Sequence, residues 1–254
     1  MPELPEAERA RQQLERVLGR EIAAVDDTDA YVCRPHGPGE IAAAITGRQL
    51  TEARRQGKFL WLETDGGEGP VLGLHLGMAG RIAVDRAPDT HGWDRFAIDF
   101  AEGGRMALHD KRRLGRAVLE PDHAHLGPDA AEITRAAFRS RVGRGTAPLK
   151  AKLLDQGVLA GVGNLLADET LWRARLSPRR ASGELSEAEL DRLRRELRSA
   201  TRDAIRDGGV HTGRFIVGRR RGASCSRCGT PLERATIGGR TTYWCPVCQP
   251  EAPA

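Results

Sequence analysis

Four cysteines near the C-terminus constrain this chain more than any other feature. They stand as Cys225-x2-Cys228 and Cys245-x2-Cys248, with sixteen residues between the pairs. Two such knuckles can fill the tetrahedral shell of a zinc ion and leave no open position, which marks a structural rather than a catalytic metal. The alternative is a redox or disulfide pairing. The intervening GTPLERATIGGRTTYW reads as a β-hairpin, with RATI and TTYW as strands and GG as the turn. Arg240 follows that turn, where it can reach a phosphate or a groove. The fifth cysteine, Cys33, reads as a packed or semi-exposed thiol.

The rest of the 254 residues must supply the core. Residues 3–18 read as a helix, because Leu4, Ala7, Ala10, Leu14 and Leu18 recur on one face and Gly19 stops it. KFLWLET (58–64), PVLGLHLG (70–77), RIAVD (81–85), RFAIDF (95–100), RMALHD (105–110) and RAVLE (116–120) are short strand-like runs. Six such runs at this spacing predict a β-sandwich or barrel. PDHAHLGPDAAEI (121–133) is punctuated by proline and glycine and reads as a linker. Beyond it, 134–142, 148–178 and 186–209 read as helical, the last opened by a Ser186/Glu189 capping box and closed by Gly208 and Gly209.

Hydrophobic residues make up 39% of the chain, and no apolar run approaches the ~18–20 residues of a membrane span. The first residues are charged and carry no apolar stretch, so no signal peptide is expected. Net charge is +5, and the excess is concentrated. Six arginines and one acid lie between Arg219 and Cys248, and DKRRLGR (110–116) forms a second cluster. That distribution points to a polyanion, against the plainer reading of solvated charge.

Several stretches carry chemistry. In AGVGNLLADETLW (160–172), the glycines allow a close backbone approach to phosphate, and the helix that follows offers free N–H groups beside Asn164. A plain helix–helix turn is the alternative. GLHLGMAGR (73–81) displays Met78 on a tight turn, either packed on another element or exposed as an apolar wedge. Lys58 begins a strand after a glycine. His75 alternates out of the face made by Leu74 and Leu76. If Met1 is removed, Pro2 carries a secondary amine, a nucleophile able to form an iminium ion at a sugar C1′, and Glu3 stands next to it to move protons.

Together PELPEAE, GKFLWLE, HLGMAG, DKRRLG, HLGP, LKAKLLDQGVLAGVGNLLADETLW and GGRTTYWCPVC resemble the formamidopyrimidine-DNA glycosylase/endonuclease VIII family over nearly the whole chain. The resemblance implies an α+β multidomain protein. An N-terminal helix and β-sandwich would form a catalytic domain over 1–125, followed by a linker at 126–133. A helix–two-turns–helix domain would span 134–215, and a zinc finger with one structural zinc 219–250. It implies a monomeric, bacterial, cytoplasmic enzyme, associated with the nucleoid, that acts on double-stranded DNA carrying damaged bases. Such an enzyme is a bifunctional glycosylase and abasic-site lyase that flips the damaged nucleotide out of the stack.

The resemblance also assigns roles. Pro2 is the nucleophile, Glu3 the acid/base, and Lys58 a phosphate contact that assists strand cleavage. His75, Lys150, Asn164 and Arg240 contact phosphates. Met78, Arg112 and Leu114 fill the gap left by the flipped base. Two departures bear on the lesion. Leu114 replaces a phenylalanine common in relatives and cannot stack as a ring does. The segment from Gly209 to Cys225 is short, where relatives specialised for 8-oxoguanine carry a longer cover. Both favour oxidised pyrimidines, ring-opened purines, abasic sites or bulky adducts over 8-oxoguanine. A non-catalytic zinc-finger DNA-binding protein is the alternative from another class.

Overall fold

The computed structural model describes residues 2–85 and 92–251, so Met1 lies outside the described residues. The chain divides into two compact units. One holds Ala7–Ala124 with the first two residues, and the other holds Glu3–Glu6 with His125–Ala254.

Helix α1 (Leu4–Leu14) contributes to both cores: Leu4 is buried in the second unit's, Ala10 and Leu14 in the first's. Pro5 sits in its first turn, where a missing N–H costs nothing. On its polar side, Glu8 accepts from Arg11 (2.8 Å) and from Arg55 (2.9 Å). Burial opposes charge on Glu8, but those two hydrogen bonds outweigh it and hold the carboxyl below its usual range.

The rest of the first unit is a sandwich of two antiparallel sheets. Its strands are β1 (Ile22–Asp26), β2 (Leu50–Gln56), β3 (Phe59–Thr64), β4 (Leu72–His75), β5 (Arg81–Val84), β6 (Asp94–Phe100), β7 (Arg105–His109) and β8 (Arg116–Leu119). The sheets run β1-β6-β7-β5 and β2-β3-β4-β8. Their inner faces meet in one core, with Leu60, Leu62 and Leu74 from one sheet and Phe96, Ile98 and Met106 from the other. The period-two alternation that predicts strands also assigns faces. In β3, Leu60 and Leu62 point inward, while Phe59 and Trp61 stay half-buried on the outer face. Two short helices, α2 (Ala30–Cys33) and α3 (Glu40–Ile45), lie between β1 and β2 in the chain. Cys33 is wholly buried, and burial first, then Asp27, Asp29 and Asp26, push its thiol up to about 12.

The second unit begins with residues that read as a linker but are packed. Ala130 and Ile133 are buried, and Ala130 N donates to Ala160 O at 3.0 Å. Then come α4 (Arg135–Val142), α5 (Leu149–Leu154), α6 (Asn164–Ala174) and α7 (Glu187–Asp207). The Ser186/Glu189 capping box closes in both directions, and Gly208 ends α7 at φ 105°, a conformation glycine adopts without strain. Leu166 and Leu171 of α6 and Leu193 and Leu197 of α7 share a core with Phe138 and Leu153. A hairpin of β9 (Glu233–Ile237) and β10 (Arg240–Trp244) follows, turning at Gly238 and Gly239, both at positive φ.

Candidate functional site

In the second unit, Glu3 is fully buried and its carboxylate meets the N-terminus of α6. One oxygen accepts from Leu165 N at 2.8 Å and the other from Leu166 N at 2.9 Å. Helix N-termini leave such N–H groups unsatisfied and carry positive dipole, so an acceptor-only carboxylate suits the position. The approach depends on Gly163, because a Cβ there would lie 2.6 Å from Glu3 Oε1. The Gly161–Asn164 turn therefore does not present this helix end to a phosphate, since Glu3 occupies it. Glu3 N donates to Glu6 Oε2 (2.9 Å), and Leu4 N to Gly161 O (3.1 Å).

Asn164, the first residue of α6, is half-buried and fixed by Lys150. The ammonium lies 2.6 Å from Asn164 Oδ1. An ammonium only donates, so the amide oxygen faces it and the amide N–H groups point away. Lys150 is not placed to touch a phosphate itself. It is wholly buried, ion-paired with Asp168 Oδ1 (2.7 Å) and bonded to Thr242 Oγ1 (2.8 Å) of β10. Asp168 also takes Arg219 Nε at 2.6 Å. Lys150 thus positions Asn164, and Asp168, Thr242 and Arg219 complete the set. Sequence reading missed these three because they lie 18 to 92 positions from their partners.

The segment after α7 is short and tied down. Val210 N donates to Glu6 Oε1 (2.7 Å) and Phe215 N to Glu169 Oε2 (2.8 Å). Phe215 is buried and stacks on Trp172 at 5.7 Å.

In the first unit, two turns display the expected apolar tips. Met78 and Leu114 are 40% and 39% exposed. Asp110, fully buried, accepts from Arg112 N (2.9 Å), Leu114 N (2.7 Å) and Gly115 N (2.7 Å). Gly77 holds φ 59°, and a Cβ there would press on Leu114's carbonyl and come within 2.6 Å of Gly115 N. The two turns therefore pack backbone to backbone. Among the described residues, the Arg112 side chain has no hydrogen-bond or ion-pair partner. Asp110 was missed as a functional residue, although an aspartate opening a turn is a recognisable signal.

Pro2 is half-buried. Lys58, on the β2–β3 turn, is half-buried beside His75. Gly77 N donates to His75 Nδ1 at 3.1 Å, so a neutral ring carries its hydrogen on Nε2 and can donate it to a phosphate oxygen. Burial first and the Lys58 charge second hold His75 below 6.5. On the hairpin, Arg240 is exposed at the turn.

The four cysteine sulfurs lie within 4.8 Å of one another, with Cys225–Cys248 at 4.0 Å and Cys228–Cys245 at 3.4 Å. Tetrahedral zinc with four thiolates needs sulfurs about 3.8 Å apart. Trp172 Nε1 and Arg227 N donate to Cys225 Sγ, and Cys248 N donates to Cys245 Sγ, each at 3.4 Å. N–H donors aimed at sulfur suit thiolate ligands. The residues fit one structural zinc.

The described residues thus combine a two-sheet sandwich, a helical unit and a hairpin flanked by a four-cysteine cluster. Comparison with known proteins gives the family. Residues 1–117 match the formamidopyrimidine-DNA glycosylase N-terminal domain and residues 126–215 its H2TH domain. Residues 224–250 match the zinc finger found in FPG and IleRS. The formamidopyrimidine-DNA glycosylase of a Nocardioides species is 38% identical over 281 positions, covering 98% of this chain and 95% of that protein. The one from Thermus thermophilus is 37% identical, with both chains wholly covered. Among solved structures, MutM in complex with DNA containing carbocyclic 8-oxo-G has a TM-score of 0.85 at 28% identity, covering 98% of this chain and all of that one. The crystal structure of MutM (Fpg) from Thermus thermophilus has 0.81 at 35%, covering 99% and 100%. The chain belongs to the formamidopyrimidine-DNA glycosylase family. Among the described residues, no helix is long and apolar enough to cross a membrane.

Two measurements check this geometry. By elemental analysis the unmodified protein should carry one zinc per chain and Cys245→Ser none, and the variant should raise hydrogen exchange in β9 and β10 with the sandwich of the first unit still folded. The His75 ring should titrate below 6.5 by NMR. Its folded pKa lies below the unfolded one, so the folded state refuses a proton that the unfolded chain takes. The resulting destabilisation is absent above about pH 6.5 and grows as pH falls below it. Lys58→Ala should move the midpoint part of the way back up.

Proposed function

We propose that this chain, acting as a monomer on double-stranded DNA in the bacterial cytoplasm, removes damaged bases and then cleaves the strand. One observation carries the reading. A carboxylate adjacent in sequence to the expected nucleophile is buried and held from two sides by a helix N-terminus that glycine keeps open.

With Met1 removed, the Pro2 secondary amine attacks C1′ of the flipped nucleotide. A C–N bond forms as the glycosidic bond breaks, and the base leaves with that electron pair. Glu3 exchanges the proton needed at the sugar, and its two backbone bonds keep it aimed while it does so. Ring opening gives an iminium ion that acidifies C2′. Loss of a C2′ proton expels the 3′ phosphate, and a second elimination expels the 5′ phosphate. Lys58, neutral His75 through Nε2–H, Asn164 through its amide N–H groups and Arg240 bind phosphates. Met78, Arg112 and Leu114 fill the vacated space in the duplex, with Arg112 toward the orphaned base. Borohydride trapping on abasic duplex DNA tests this. The processed protein should cross-link, Pro2→Gly or an N-terminal extension should abolish the cross-link with binding retained, and Glu3→Gln should slow base release more than cleavage of a preformed abasic site. A wild-type protein that binds but never cross-links would be the non-catalytic DNA-binding alternative.

A second reading concerns the lesion, and the tethered segment after α7 favours it. Its backbone is fixed at Val210 by Glu6 and at Phe215 by Glu169. Discriminating 8-oxoguanine from guanine needs hydrogen bonds to one oxygen and one N–H, which a pocket reading shape alone does not supply. Lesions that unstack easily then win through their lower flipping cost. In single-turnover cleavage of matched duplexes, ring-opened purines, oxidised pyrimidines and abasic sites should be cut faster than 8-oxoguanine opposite cytosine. Fastest cleavage of the latter would reject the reading.

A further inference from the structure

The outer face of the β2-β3-β4-β8 sheet carries side chains that the proposed reaction does not use. Strand pairing sets Phe59 opposite His75 and His75 opposite Arg116, with Trp61, Gly73 and Val118 forming the next row. Directly opposed residues share a face, so these rows lie side by side on the outer surface. Four rings run across it in sequence: His75 to Phe59 at 4.8 Å between centroids, Phe59 to His123 at 5.3 Å, and His123 to Trp61 at 4.9 Å. Gly73 adds no side chain, and Pro121 lies so close that a Cβ on Gly73 would come within 2.7 Å of it. There the surface sinks into a cavity of about 300 Å³, walled by Phe59, His75, His123, Arg34 and Arg116. That volume is at the lower end for small-molecule sites.

The charge at this cavity is specific. Arg34 and Arg116 both donate to Tyr31 O, the latter at 2.6 Å. Among the described residues neither guanidinium is paired with a carboxylate, whereas neighbouring Arg113 is held by both oxygens of Asp29. The two acids at the cavity each spend an oxygen on backbone, Glu120 on Val71 N and Asp122 on Ala124 N, both at 2.8 Å. Glu120 and Asp122 keep their charge at the rim, but Arg34 and Arg116, packed over the Tyr31 ring, form no ion pair with them, and ring faces beside two such guanidiniums suit a ligand that is a flat heterocycle at one end and an anion at the other. That is a nucleotide whose base is not already stacked and paired. His75, whose Nε2–H is assigned above to a phosphate, is one wall, so the cavity continues from the expected strand path.

We propose that this cavity holds the base of an unpaired nucleotide in the DNA substrate, with its phosphate on Arg34 and Arg116. The inference rests on the glycosylase reading, and it predicts a preference that reading does not contain. Lesions beside a gap, bubble or single-stranded end are held more tightly than lesions in continuous duplex. Aromatic stacking with a cationic rim is the physics of single-strand binding.

The test uses the full chain with zinc and three probes: oligothymidylate, an abasic-analogue duplex, and the same duplex with an unpaired flank. By fluorescence anisotropy, wild type should bind the flanked duplex roughly tenfold more tightly than the continuous one, the worth of a stacked base. Arg34→Ala/Arg116→Ala should lose that advantage and most affinity for oligothymidylate, while continuous-duplex binding and borohydride trapping stay as in wild type. In unmodified protein, the Trp61 indole N–H resonance should shift as oligothymidylate is added. Equal binding of the two duplexes by wild type, or a double variant that still prefers the flank, overturns the proposal, and so does an unmoved Trp61 signal. Failure of wild type to trap on abasic duplex would instead overturn the glycosylase reading, so the two failures are distinguishable.

Discussion

The contact between the Glu3 carboxylate and the first turn of α6 governs how the second unit presents its chemistry. A helix N-terminus ordinarily waits for an anion from outside, and here the protein supplies one from the start of its own chain. The carboxylate satisfies two orphan donors and is fixed in return. Asn164 begins the same turn, so the residue expected to move protons and a residue expected to bind phosphate share one rigid element. The Lys150–Asp168 pair extends this down the helix: Lys150 braces Asn164 from behind, and Asp168 returns the charge one turn later. Thr242 brings in the zinc hairpin at the same ammonium. A closed metal site with no chemistry of its own thereby bears on where an amide group points.

The arginines sort into two populations. Many are committed internally, as Arg139 is to Asp191, Arg173 to Glu169 and Asp203, and Arg180 to Glu189. Such pairs organise surfaces and cost little net charge. Arg34, Arg112, Arg116 and Arg240 have no such carboxylate partner among the described residues. They are not the whole of that second population: Arg81 on β5, Arg198 and Arg202 on α7 and Arg234 on β9 also have no carboxylate partner among the described residues, so the cationic surface is spread over both units.

Much of this was legible in the sequence, for identifiable reasons. Alternation in KFLWLET marks a strand buried on one face, RMALHD is a strand buried on both, and the capping box and double glycine mark the limits of α7. Strands β1 and β2 were not legible. IAAVD is alanine-rich and LTEARRQ is charged, and both become strands through pairing with β6 and β3. The cysteine cluster could be read because thiolate ligands come in local pairs. The burial of Lys150 could not, since lysine is ordinarily exposed and its neutralising partners are brought by tertiary structure. The helix end at Asn164 looked open for the same reason: nothing local reveals that residue 3 fills it.

The Asp110 turn separates what is held from what is shown. Three backbone N–H groups converge on one buried carboxylate, and the abutting Met78 turn touches backbone rather than side chain. None of these bonds depends on which side chain position 114 carries. The tip can therefore change from a ring to a branched aliphatic without disturbing its mount. A substitution at position 114 changes what the turn displays to its surroundings, while the three bonds to Asp110 that hold the turn stay as they are.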